Sequence, residues 1–100
     1  MEMPEKNSEN LRRHFEAERG PIAWRELELY FANGVAIEVK LPLDLVDVAI
    51  AMALDDTAQI SSWLKSGELS KVSDSRALEF VQKSAIVEAV VVKPWVIIQA

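Results

Sequence analysis

Cysteine is absent from this 100-residue chain and histidine occurs once, as His14. Without thiols there can be neither a disulfide nor a thiolate metal site, so any metal would have to be held by carboxylates and His14, and redox chemistry through the protein itself is excluded. Basic charge is also in short supply. Eleven Lys and Arg stand against 16 Asp and Glu, a net of −5, which repels phosphate backbones and anionic lipid and disfavours nucleic-acid or membrane-surface binding. No nucleophile–base cluster and no phosphate loop appears. The longest apolar run, Leu45 to Leu54, is interrupted by Asp47 and is too short to cross a bilayer. MEMPEKNSENLRR lacks the apolar stretch of a signal peptide. A soluble, cytoplasmic protein is therefore expected.

What the chain does have is apolar mass. Half of its residues are hydrophobic, and one domain of this length hides roughly two-thirds of the surface that its unfolded chain exposes. The richest segment is AVVVKPWVIIQ, Ala89 to Gln99, with only Lys93 and Pro94 interrupting the valines, isoleucines and Trp95. It has the pattern of a strand covered on both faces.

The remaining elements follow from periodicity and punctuation. Residues 1–8 are polar and are expected to form a flexible tail, with a single domain over 9–100. Leu11 and Phe15 lie one turn apart in a helix from Glu9 to Arg19, which Gly20 ends. Pro21 suits the first turn of a second helix, with Trp24, Leu27 and Phe31 on one face and Asn33-Gly34 as its stop. Val35, Ile37 and Val39 alternate with Ala36, Glu38 and Lys40, as in a strand with one face buried. Asp44 with Asp47, and Asp56 with Gln59, read as caps of two further helices, the second carrying Ile60, Trp63 and Leu64 inward and ending at Gly67. Leu69 to Val72 reads as a short strand, Ser73 or Asp74 as the cap of a last helix, and the C-terminal strand begins near Ile86. The order is ααβααβαβ. This predicts an α+β fold, with helices packed on a small mixed or antiparallel sheet. Trp24, Leu27, Phe31, Ile37, Val48, Ile60, Trp63 and Val91 are expected to share one core.

The segments IAWRELELYFANG, LDLVDVAIAMALDD, WLKSG and AVVVKPWVIIQ, in that order and spacing, resemble a family of small bacterial proteins classed as a domain of unknown function. The resemblance spans Leu11 to Gln99. It implies a bacterial, soluble, one-domain protein and carries over no catalytic residue.

Candidate sites are few. Asp44, Asp47 and Asp55 fall within one narrow helical stripe that could face a hard cation. Asp44 and Asp55 are however separated by roughly 16 Å along a helix, beyond the reach of one ion. Capping and charging of one helix N-terminus by Asp44 and Asp47, with Asp55 and Asp56 starting the next helix, is the simpler role, and no metal or cofactor is expected. His14, among Arg12, Arg13 and Glu16, has no orienting partner in sequence, so a solvated helix residue is favoured over a general base. The arginines Arg12, Arg13, Arg19 and Arg25 alternate with glutamates and read as a salt-bridged face. Lys93, Pro94 and Trp95 form the one interface candidate. A proline inside a strand removes a ladder donor and marks an edge, a bulge or a change of partner.

The functional expectation is a non-catalytic interaction module that self-associates as a homodimer or docks another protein, with Trp95 at or beside the contact. The alternative is a small enzyme or ligand-binding protein that uses the acidic stripe and His14, with His14, Asp47, Asp55 and Asp56 as its candidate polar residues. A deep pocket gathering those polar residues would favour the second. A flat apolar patch near Trp95 would favour the first.

Overall fold

The computed structural model describes residues 7–100. Of the expected tail, residues 1–6 lie outside the described residues, while Asn7 caps the first helix by accepting the Asn10 N–H at 2.9 Å. That helix, α1, runs Ser8–Glu18 and buries Leu11 and Phe15, as their spacing predicts.

The segment after α1 departs from expectation. Instead of a second helix starting at Pro21, Gly20–Ala23 forms a strand, β1. It pairs only with the penultimate strand of the chain and lies at the sheet edge, where a proline need not donate to a ladder. A single 3-10 turn, Trp24–Leu27, then leads into α2, Glu28–Ala32, and Gly34 at φ 75° makes the turn into β2, Ala36–Val39. Helices α3, Leu45–Ala53, and α4, Thr57–Ser66, start where the sequence places their caps: Asp44 accepts the Asp47 N–H and Asp56 the Gln59 N–H. Gly67, at φ 83°, closes α4 in the left-handed conformation that glycine adopts without steric cost. β3 is Leu69–Lys71, and α5, Asp74–Gln82, is capped by the Ser73 hydroxyl.

The C-terminal strand is two strands. Ile86–Val92 (β4) and Trp95–Gln99 (β5) fold back antiparallel on each other, with Val92 opposite Trp95 and only Lys93 and Pro94 between them. The Lys93–Pro94 peptide bond is cis. Pro94 thus marks a hairpin turn, where no ladder hydrogen bond is required of it. The five strands make one mixed sheet in the order β1-β4-β5-β2-β3, in which the β5–β2 pair alone is parallel. The fold is α+β, with two more strands than the sequence suggests.

Alternation along the strands divides the interior into two clusters. Ile37, Val39, Val90 and Ile97 pack under α1 and α3, joined by Ile60 and Trp63 of α4. Val87, Val96, Ile98 and Ala36 pack on the other face, under Trp24, Leu27, Phe31 and Phe80. The single core expected from sequence is therefore two, separated by the sheet, and Val91 belongs to neither because it is 45% exposed. Helices on both faces also explain β2. All four of its residues are buried, including Glu38, which was expected to face solvent. Arg76 of α5 answers that buried charge through its Nε, 3.1 Å from Glu38 Oε1, and its Nη2, which bonds Oε2. Its guanidinium lies 4.6 Å above the Phe80 ring and also donates to Glu79 at 2.8 Å. Hydrogen bonds from Lys83 first, and then from Arg76, hold the Glu79 carboxyl below its ordinary value of 4.5.

Candidate functional site

α4 is an amphipathic helix that is incompletely covered. Ile60 and Trp63 are half-buried against the first cluster, but none of its ten residues is fully buried, and Leu64, expected to point inward, is 52% exposed. Helical phase explains this. Ile60 and Trp63 define the inner line, while Thr57, Ser61 and Leu64 fall on its flank at i, i+4 and i+7.

That flank borders an open groove of about 570 Å³. Met52 and Ala51 of α3, Ile37 and Leu69 of the sheet, and Val92, Pro94 and Trp95 of the hairpin make its apolar walls. Asp55 stands on the helix side, in the α3–α4 turn at φ 53°, and Lys71 and Lys93 stand on the sheet side. Asp55 sits where the chain must turn sharply, and aspartate tolerates the left-handed region better than most residues. Lys93, Pro94 and Trp95, the interface candidates, thus line one surface together with Asp55. Neither Lys71 nor Leu64 could be assigned to it from sequence, because four separate elements build it and no local pattern links them.

The other polar candidates are dispersed. Asp47 lies 2.6 Å from Arg12 Nη2, Asp44 lies 3.8 Å from Arg12 and 3.7 Å from Arg19, and Arg19 also reaches Glu88 at 3.2 Å. These contacts fasten α1 to the start of α3 and to β4. The hydrogen bond to Asp47 is the chief reason that the Arg12 pKa lies above its ordinary value. Asp56 caps α4. His14 Nε2 lies 3.3 Å from Glu18 on the same helix, and its ring meets Phe15 edge-on at 5.1 Å. No group of three or more His, Asp or Glu residues converges as a metal site among the described residues. Heating with and without EDTA is accordingly expected to give the same melting temperature. A large drop on chelation would mean that the carboxylates are ligands rather than caps.

A second hollow, of about 400 Å³, lies on the opposite face between the 3-10 turn and α5, with Trp24 and Phe80 in its wall. The Trp24 Nε1–H is buried without a hydrogen-bond partner. Its indole ring lies 5.8 Å from the Phe31 ring and 5.0 Å from the Phe80 ring, centroid to centroid. Trp24 is otherwise a core residue, 2% exposed. Among the described residues no helix is long and apolar enough to cross a membrane.

Comparison with known proteins agrees with the resemblance seen in the sequence motifs. The chain belongs to the family described as "Protein of unknown function (DUF2288)", whose model matches residues 10–100. It is also similar to PA1075 from Pseudomonas aeruginosa, known from an NMR solution structure, with 41% sequence identity and a TM-score of 0.80 over 99% of this chain and 91% of that one. No curated protein matches the chain.

Proposed function

We propose that this chain is a non-catalytic interaction module of the cytoplasm, and that the groove between α4 and the β4–β5 turn is its contact surface. The observation that supports it is the incomplete cover of α4. A helix with an apolar stripe is stable when the stripe is buried, and here Leu64 and one side of Trp95 remain beside an apolar opening. Two lysines and one aspartate rim that opening and can orient what docks there. An enzyme or ligand site built on the acidic stripe and His14 has less in its favour, because Asp44 and Asp56 serve as helix caps, Asp47 pairs with Arg12, and His14 lies beside Glu18 on α1 rather than with Asp55 in the groove.

Site-specific photo-crosslinking in living cells tests the proposal. A photoreactive residue at position 64 or 93 is expected to yield a discrete product, with this chain or another protein, identifiable by mass spectrometry. The same residue at position 78, which is exposed on α5 across the sheet, is expected to give none. Equal yields from all three positions would discard the groove as a contact surface.

A further inference from the structure

We infer that the hollow between the 3-10 turn and α5 is a binding site for a small apolar molecule that carries a single carboxylate. It lies across the sheet from the groove and does not depend on what docks there.

The first ground is a hydrogen bond left unmade. Among the described residues the Trp24 Nε1–H is the one buried side-chain polar atom without a partner, and a donor withdrawn from water with nothing in exchange is costly enough to be rare in folded proteins. Trp24 stands in the wall of the hollow. The cluster behind it consists of hydrocarbon side chains, Leu27, Val72, Val87 and Val96 among them, which offer neither the indole an acceptor nor a water a second partner. An acceptor has therefore to come by way of the hollow. The N–H is covered as the wall stands, so the ligand reaches it as the exposed side chains of Val81 and Arg25 on that wall give way.

The second ground is Arg25. Alternation with glutamate predicts a salt-bridged arginine at each N-terminal position, and Arg12, Arg13 and Arg19 all have a carboxylate within reach, as does Arg76. Arg25 has none among the described residues, although Glu28 lines the same hollow. An exposed guanidinium beside an apolar opening is suited to a carboxylate, which it can hold through two parallel N–H donors. Glu28 sets a limit on the charge. Three residues on from Arg25 and on the same rim, it opposes a second negative group, so a monoanion is preferred to a dicarboxylate or a phosphate. The carboxylate answers the Arg25 charge and gives the Trp24 N–H its acceptor, while Phe80, Val81 and Ala85 face the apolar body. A volume of about 400 Å³ fits a small molecule.

Heteronuclear NMR of the indole N–H signals of Trp24, Trp63 and Trp95 is the test. The probes are 3-phenylpropionate, hexanoate and 4-methylpentanoate, with 2-phenylethylamine as the control of opposite charge. At least one of the acids is expected to move the Trp24 signal saturably at millimolar concentration, leaving Trp63 and Trp95 in place, while the amine moves none. Arg25→Gln is expected to weaken the binding about tenfold, the loss of a charged hydrogen-bond partner, and Glu28→Gln to strengthen it. Both residues are exposed, so neither change should shift the melting temperature appreciably. A Trp24 signal that stays in place with all the acids, as it would if a water bonded the indole, overturns the inference. So does binding that is indifferent to Arg25→Gln, or that moves Trp63 and Trp95 instead.

Discussion

Leu27→Ala is expected to lower the unfolding free energy by about 2–5 kcal/mol, a large part of the 5–15 kcal/mol that holds a domain of this size. Leu27 is 3% exposed and lies in the cluster of Trp24, Phe80 and Val96, so truncation removes buried methyl groups and leaves a cavity that the flanking sheet cannot easily collapse to fill. The sheet is common to both clusters, since Ile97 and Val96 are neighbours on β5 yet face opposite sides. The loss should therefore be felt throughout the domain. Denaturant unfolding followed by tryptophan fluorescence is the measurement, because Trp24 reports one cluster while Trp63 and Trp95 report the other. One transition moved to lower denaturant is expected. An unchanged midpoint would mean that the 3-10 turn does not pack as described.

Arg76→Met is expected to cost a comparable 3–5 kcal/mol, for a different reason. Glu38 is 4% exposed on β2, between β5 and β3, and the Arg76 guanidinium is its charge partner, meeting both of its carboxylate oxygens. Methionine keeps the packing over Phe80 but leaves a carboxylate buried and uncompensated. The double variant Glu38→Gln/Arg76→Met is expected to recover much of the loss, because an amide carries no charge into the interior. Melting curves of the two single variants and the double complete the cycle. A double variant as unstable as the sum of the singles would mean that Arg76 acts through packing alone.

Much of this fold is legible along the chain wherever a local rule suffices. Asp44 and Asp56, and Ser73 or Asp74, are read as caps because a short acceptor side chain next to a helix start meets a backbone N–H within its own turn; at the last helix it is the Ser73 hydroxyl that does so. Leu11 with Phe15 and Gly67 are legible for the same reason, since helical period and a left-handed stop are properties of consecutive residues. Pro21 shows where local rules end. Proline suits both a first helical turn and an edge strand, and what selects the strand is pairing with β4, more than sixty residues away.

Pro94 behaves in the same way: the sequence marks an interruption, but only antiparallel pairing of Val92 with Trp95 makes it a hairpin turn. Glu38 alternates as though exposed, and becomes buried because α5 covers the second face of the sheet and supplies Arg76. The groove is the fullest case, since α3, α4, the sheet and the hairpin each contribute a wall and none contains it. By itself the sequence determined the class of fold, the helix caps and the exclusion of thiol chemistry, because composition and backbone hydrogen bonding within a turn are local. Tertiary structure alone decided the strand order, the division into two cores and which of the marked residues meet at one surface, because those depend on contacts between segments far apart in the chain.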